Sequence, residues 1–427
     1  MFLDQYTRIH CIGVGGIGIS AVAKFLVVKG KEVSGSDATA SAIVDGVTKL
    51  GAQTWIGADA DKITEDINLI VYSEAVPVDD PERAKATELG IPQLGHFDFL
   101  GELSKEYRTI CVTGTNGKST TTAMTGKIFE DAGLDPTVFV GTLVPGWELG
   151  NLRVGASDIL IIEGDEYKQK MVKLWPETTV ITNIAEDHLD VYRDLDHIIA
   201  TFQECAHKTT GAVILNADDQ NSLQLISAKL KKYSSAEAEQ IRLKIPGAFN
   251  RMNALAALSV AREYAIADQL ALDSLAEFPG VWRRFERVGE YKGAEIISDY
   301  GHHPDAIRGT IEAARELFPD RRVILCFQPH QHSRTKALFA EFVKSFAGAD
   351  VVVLPEIYHV EGRNEEEGNI SSADLLESLK ASFDKLTFYA KDLVETESIL
   401  AREIKAGDVV LIMGAGNIDT VARQLAQ

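Results

Sequence analysis

The run Val112-Thr-Gly114-Thr115-Asn116-Gly117-Lys118-Ser119-Thr120-Thr-Thr122 constrains this chain more than any other stretch. A β-rich segment leads into it and a helical pattern follows, so it reads as strand, glycine loop and helix start, the unit of an α/β fold. Gly114 and Gly117 let the backbone turn tightly enough for its N–H groups to face an anion. Lys118 adds a point charge, and the Ser119 hydroxyl can meet a magnesium ion. Val112 stands where the first glycine of the longer G-x-x-x-x-G-K-[ST] loop belongs. The shorter G-x-x-G-K-S form points to a particular branch of ATP users. The bland alternative is a helix start with an incidental glycine and lysine.

At 427 residues the chain is long enough for about three domains. A formal charge of -20 disfavours nonspecific nucleic-acid binding, because a phosphate backbone is drawn to basic surfaces. It leaves room for small anions held by glycine loops, helix starts and a few arginines. No uninterrupted apolar stretch of membrane-spanning length occurs, and the opening Met-Phe-Leu-Asp-Gln-Tyr lacks a signal-peptide order, so a cytoplasmic location is expected. Cys11, Cys111, Cys205 and Cys326 are far apart and read as buried thiols rather than a metal site or disulfide frame.

Three α/β segments follow from the pattern, each with its own glycine loop. The first, residues 1–106, opens on a strand, Gly13-Val-Gly15-Gly16-Ile-Gly18 and an amphipathic helix to about Lys29, with Asp37 at the end of a second strand and Ser73 after a third, Leu69 to Tyr72. Taken alone it reads as a Rossmann-like nucleotide-binding domain. The second, 107–288, is a central P-loop ATPase-type α/β domain, with strands expected at Ile159 to Ile162, Val180 to Ile184 and Ala212 to Leu215. Glu163-Gly-Asp165-Glu166 follows the first of these and Asn183-Ile-Ala-Glu-Asp187-His188-Leu-Asp190 follows the second. In an open sheet such strand ends line the ligand crevice, where carboxylates can bind metal. Asp218 to Ile245 reads as a charged peripheral insert, and Asn250 to Tyr264 as a helix. The third segment, 289–427, is Rossmann-like again, with strands at Glu295 to Ser298, Val323 to Phe327, Val351 to Leu354 and Val409 to Met413, and a closing Gly414-Ala-Gly416 turn.

These blocks, together with Asn250-Arg-Met-Asn253, Arg283-Arg284-Phe-Glu, Asp299-Tyr-Gly-His302-His303-Pro and Phe327-Gln-Pro-His330-Gln-His-Ser-Arg334-Thr, resemble the Mur ligases of peptidoglycan precursor synthesis nearly end to end. The histidine blocks resemble the branch that acts on UDP-N-acetylmuramate. The resemblance implies ATP-dependent amide formation between the lactyl carboxylate of that sugar nucleotide and an amino acid, L-alanine, through an acyl phosphate. ATP would lie on Gly114, Thr115, Asn116, Gly117, Lys118, Ser119 and Thr120, with Asn250 and Asn253 at the adenine, Asp299 at the ribose and Arg284 at the phosphates. Mg²⁺ would be held by Ser119, Glu163 and His188. The catalytic set implied is Lys118, Glu163, His188, Arg284 and His302. UDP would meet Gly13, Gly15, Gly16, Gly18, Asp37 and Ser73, and the sugar nucleotide would meet Asn151 and Arg153. His302 and Arg334 would surround the alanine.

Three departures from the family pattern stand out. Gln331 occupies a position that is commonly arginine, removing one positive partner for the amino-acid carboxylate. Asn116 replaces a usual histidine. Lys168 and Lys170 follow the acidic motif where small and aromatic residues are commoner. Other readings keep part of this pattern: a ligase that attaches a preformed tripeptide, a nicotinamide-dependent oxidoreductase built on Gly13 to Gly18, or a noncatalytic UDP-sugar-binding protein. Whether the chain acts as monomer or homodimer is open.

Overall fold

The protein is described by a computed structural model covering residues 2–188, 191–359 and 370–427; Leu189 and Asp190, which end the second acidic motif, lie outside the described residues. It is an α/β protein with three sheets, one in each expected segment. They fall into two compact units, one running through Arg242 and resuming over Met252–Phe278, the other made of Leu243–Arg251 and Pro279–Gln427.

The first unit contains two sheets. Strands β1 (Arg8–Ile12), β2 (Glu32–Asp37), β3 (Gln53–Ile56), β4 (Leu69–Tyr72) and β5 (Gln93–Gly95) form a parallel sheet in the order β3-β2-β1-β4-β5. The order reverses between β1 and β4, so their C-terminal ends frame a crevice. There Gly13 lies so close to Ser73 that a Cβ on the glycine would stand 3.0 Å from the serine Cβ. The second sheet takes β6 (Arg108–Thr113), β7 (Thr137–Phe139), β8 (Leu152–Arg153), β9 (Ile159–Glu163), β10 (Thr178–Ile181), β11 (Val213–Asn216) and β12 (Leu230–Tyr233) in the order β12-β11-β10-β6-β9-β7-β8. It is parallel except where β8 turns back along β7. One apolar core runs through both sheets, and the rings of Phe25 and Phe139 meet edge-on across it at 5.3 Å.

The second unit has β13 (Glu286–Tyr291), β14 (Ala294–Asp299), β15 (Val323–Phe327), β16 (Val351–Pro355), β17 (Leu386–Ala390) and β18 (Val409–Met413) in the order β13-β14-β18-β15-β16-β17, with β13 antiparallel. Its central strands β15, β16 and β18 are continuous apolar runs, as strands covered on both faces require.

Two sequence expectations give way. The strand expected to reach Ile184 ends at Ile181, because Thr182 and Asn183 leave the ladder to bond the phosphate loop. The supposed peripheral insert contributes β12, whose Leu-Lys-Lys-Tyr pattern hides a strand: the two lysines are solvated on an edge, while Tyr233 is buried. Strand β13 also runs through position 289, so the hydrogen-bonded sheet of this unit already begins at Glu286. All four cysteines are free and buried as expected, and burial pushes the Cys11 thiol up to about 12.

Candidate active site

Two glycine loops in the first unit lead into helices that start without a side-chain cap. Gly16 is the N-cap of Ile17–Val28 and Gly117 that of Lys118–Asp131. Several other helices here, such as those begun by Ser41, Asp80 and Asp194, have their first N–H groups capped by their own side chains. The two bare starts leave N–H dipoles to be satisfied by an anion.

The phosphate loop is braced from behind. Thr115 N–H donates to Asn183 O at 2.9 Å and Asn116 N–H to Asn183 Oδ1 at 3.1 Å, while Asn183 Nδ2 returns a bond to Asn116 O at 2.9 Å. The N–H groups of Thr115 and Asn116 therefore brace the loop from behind. Gly117 has φ 86, and the side-chain oxygen of Asn253 packs where its Cβ would be. Both features require glycine. Asn253 thus contacts the loop itself.

Lys118 folds back over the loop, donating to Gly114 O at 2.7 Å and Thr115 O at 3.1 Å, and pairs with Glu166 at 2.7 Å. Burial works against the ammonium, but Glu166, Asp165 and Glu163 outweigh it and hold its pKa above the ordinary lysine value. Ser119 Oγ donates to Glu163 Oε1 at 2.8 Å, and Gly141 N–H donates to Glu163 Oε2 at 2.6 Å. Thr120 is buried in the first turn of the helix. His188, at φ 55, pairs with Glu166 Oε1 at 3.4 Å, and its Nδ1 is buried with no hydrogen-bond partner among the described residues.

The donor set suits a hard cation in part. Ser119 and Glu163 present adjacent oxygens, and Mg²⁺ characteristically takes one or two protein oxygens and completes its shell with phosphates and water. Among the described residues no three His, Cys, Asp or Glu side chains form a ready-made metal cage. His188 lies beside Glu166, one face of the same acidic cluster that holds Glu163.

At the other loop, Gly15 N–H donates to Asp37 Oδ2 at 2.8 Å, so Asp37 braces the turn. The imidazole of His96 lies against the backbone of Gly18, where a Cβ would collide with it. Burial depresses His96 to about 4, Lys170 adding to the effect against the opposing pull of Glu74 and Asp165. Asn151 is fully buried: Lys24 Nζ donates to its Oδ1 at 2.7 Å, and its Nδ2 donates to Ile17 O and to Ser20 Oγ. Its polar atoms are spent on the helix that carries the first glycine loop, so it positions that helix. Arg153 is likewise committed, to Pro136 O, Asp135 and Glu130. Both side chains are thus engaged by the surrounding scaffold.

The second unit gathers its own polar set at the C-terminal ends of β14, β15 and β18. Asp299 is buried, with Oδ2 accepting from Phe285 N–H at 2.8 Å and Oδ1 from Gly301 N–H at 2.6 Å. Burial raises its pKa, with Arg284 and Arg283 opposing. Arg284 lies over the Tyr300 ring at 4.7 Å. The rings of His302 and His330 are 5.8 Å apart, His330 stacks on Tyr358, and Arg334 reaches His330 Nδ1 at 3.4 Å. Gln331 is buried at φ 73, its N–H bonded to Tyr358 O. Asn250 donates to Pro246 O at 2.7 Å.

Sequence reasoning missed Asn183 and His96 as site residues, and gave Lys118 no carboxylate partner. The acidic motif signalled Glu166 and Asp165; nothing local signalled His96, which only the packing brings to Gly18.

Residues 8–108 match the Mur ligase family catalytic domain, 112–236 the Mur ligase middle domain and 283–416 the Mur ligase glutamate ligase domain. The chain is 34% identical to the UDP-N-acetylmuramate–L-alanine ligase of Sulfurihydrogenibium sp. over the whole of both chains. It is 36% identical to that of Lachnospira eligens, over 98% of this chain and 97% of the other. The crystal structure of the UDP-N-acetylmuramate-alanine ligase of Thermotoga maritima superposes with a TM-score of 0.84 at 27% identity, covering 98% of each chain. A murein peptide ligase of Psychrobacter arcticus shares the fold at a TM-score of 0.70 and 21% identity, again over 98% of each.

Proposed function

The chain belongs to the Mur ligase family, and from that premise we propose that it joins L-alanine to the lactyl carboxylate of UDP-N-acetylmuramate at the expense of ATP, a step in peptidoglycan precursor synthesis. The observation that carries this reading is the pairing, in one compact unit, of two uncapped helix starts behind glycine loops with the Lys118, Glu163, Asp165 and Glu166 cluster. A chain that handled one nucleotide would need one such loop. The boundaries 1–106, 107–288 and 289–427 are our division of the three domains, with the hydrogen-bonded sheet of the last beginning at Glu286.

A carboxylate is a poor acyl donor at neutral pH, so its oxygen must first be phosphorylated. In the reaction we infer, the lactyl carboxylate oxygen attacks the γ-phosphorus and ADP departs. The neutral alanine amine then attacks the acyl carbon, inorganic phosphate leaves with the C–O bond pair, and the amine proton passes to phosphate or solvent. Phosphoryl transfer of this kind asks for alignment and charge neutralisation more than for a covalent protein group. Lys118, already held charged by its carboxylate neighbours, suits the β- and γ-phosphates. Gly117, Ser119 and Thr120 lie at the helix start, where backbone N–H groups favour anions. Ser119 and Glu163 would hold Mg²⁺, which neutralises phosphate charge when bound. Asn253, against Gly117, suits a role at the nucleotide, and we keep Asn250, Arg284 and Asp299 as further ATP residues. Gly13, Gly15, Gly16, Gly18 and Ser73 suit the UDP diphosphate. His302 and Arg334 are our assignment for the amino acid. Gln331 leaves that carboxylate one cation short, worth about 1.5 to 3 kcal/mol if nothing replaces it.

The test is mass spectrometry of the product formed from UDP-N-acetylmuramate, ATP and Mg²⁺ with L-alanine, glycine, L-serine and tripeptide in competition. UDP-N-acetylmuramoyl-L-alanine with stoichiometric ADP is expected. A product from tripeptide alone overturns the choice of acceptor, and no ADP with any acceptor overturns the enzyme.

A further inference from the structure

The segment between β9 and the next strand contains two consecutive non-glycine residues in the left-handed region, Lys168 (φ 53, ψ 32) and Gln169 (φ 58, ψ 25). Such backbone persists only where its surroundings fix it, and it concentrates at functional sites. Here the surroundings do fix it. Gln169 N–H donates to Glu166 O and Met171 N–H to Asp165 O, both at 2.9 Å. Met171 is fully buried and receives the Thr113 hydroxyl on its sulfur at 2.9 Å.

The coil turns Lys170 inward. Its ammonium lies 2.7 Å from Asp165 Oδ2, over the rings of Tyr167 at 5.4 Å and Phe97 at 5.7 Å, and its side chain is only 16% exposed. Phe97 follows His96, whose ring lies on Gly18 of the first glycine loop. Asp165 is followed directly by Glu166, which pairs with Lys118 of the phosphate loop at 2.7 Å. Two adjacent carboxylates therefore each hold a lysine, Lys118 on the phosphate loop and Lys170 toward the sugar-nucleotide loop. His96 is kept neutral and supplies no charge there.

We propose that Lys170 receives the lactyl carboxylate of the sugar nucleotide and holds it between the two glycine loops, an assignment that rests on the ligase reading above. An ammonium has three donors, and the bond to Asp165 uses one. In the ligase reading Lys118 serves the phosphates, so a second cation would let a carboxylate approach a triphosphate beside Glu163, Asp165 and Glu166. Lys170 is placed to be that cation.

The experiment compares binding of two sugar nucleotides to the full chain and to the variants Lys170→Met and Lys170→Arg. UDP-N-acetylmuramate carries the lactyl acid, and UDP-N-acetylglucosamine lacks it. Lys170→Met is expected to weaken UDP-N-acetylmuramate about 10- to 100-fold, the size of a lost hydrogen bond to a charged group, while UDP-N-acetylglucosamine and ATP bind as before. Lys170→Arg should recover most of the loss. Equal weakening of both sugar nucleotides assigns Lys170 to the diphosphate and overturns the proposal. So does unchanged binding of both, and so does loss of ATP binding as well, which marks an architectural role. Failure of the ligase reading registers separately, as a wild-type chain that releases no ADP with UDP-N-acetylmuramate and amino acids.

Discussion

Lys118 Nζ and Glu166 Oε2 stand 2.7 Å apart with their side chains 17% and 4% exposed, so each charge depends on the other. Removing one member of a buried pair costs about 3 to 5 kcal/mol, because the survivor stays desolvated. Lys118→Met should lower unfolding free energy by about that amount in urea titrations and reduce ATP turnover about 100- to 1,000-fold or more. The double variant Lys118→Met with Glu166→Gln should regain most of the stability and none of the turnover. Normal turnover in Lys118→Met would remove the phosphate loop from the mechanism.

Glu163 accepts from Ser119 Oγ and from Gly141 N–H. Glu163→Gln keeps an acceptor at one oxygen and deletes the charge that a divalent cation needs. The fold should survive, with melting temperature within a few degrees of wild type. The Mg²⁺ concentration for half-maximal ADP release should rise about tenfold or more, and Mn²⁺ binding in the presence of ATP, read by electron paramagnetic resonance, should weaken in parallel. An unchanged metal requirement would exclude Glu163 as a ligand.

His96 offers a pH test. Its pKa falls from 6.5 to about 4 in the folded chain, burial being the first cause, with Glu74, Lys170 and Asp165 the charged groups that face it. Between those two values the unfolded chain binds more protons, so stability rises with pH across that window. It should be level above about pH 6.5 and decline progressively toward pH 4. Carboxylates with depressed pKa, such as Asp165, add their loss progressively as the pH falls from about 5 through 3.8. His96→Gln should flatten the decline between pH 6.5 and 4.5 in urea unfolding. A parallel profile in the variant would show that another group carries it.

Lys24 and Asn151 supply a structural prediction. Burial already lowers the Lys24 pKa, and its ammonium is satisfied by Asn151 Oδ1 and Leu149 O. Asn151→Leu strands that ammonium and should cost about 3 kcal/mol. Adding Lys24→Met should restore much of the loss. If Asn151 reads the sugar instead, Asn151→Leu would weaken UDP-N-acetylmuramate binding without destabilising the chain, measured by calorimetry and denaturation together.

Much of the fold was legible because interior parallel strands are continuous apolar runs: β4, β15 and β18 fall where the sequence places them. Edge strands carry less apolar signal, which is why β12, with two solvated lysines, and the short β3 and β5 went unread; β7 lies inside its sheet but spans only three residues. The site shows the same division. Gly114, Gly117, Lys118 and Ser119 announce themselves through local spacing. Asn151 carries a residue type that suits ligand reading, yet its bonds go to Ile17 and Ser20, more than a hundred residues away. His96 had no motif at all, since its importance comes from Gly18 lying beneath it. Side chains whose partners are distant in sequence cannot be assigned from spacing.

The bonds from Asn151 and Lys24 tie the base of one glycine loop to the sheet that carries the other. The gap between the two glycine loops is thereby a fixed dimension of this unit, like the jaw spacing of a gauge. Reach along the sugar's acidic arm then becomes the property being measured. An analogue with one extra methylene between ring and carboxylate should bind through its uridine and fail to be phosphorylated.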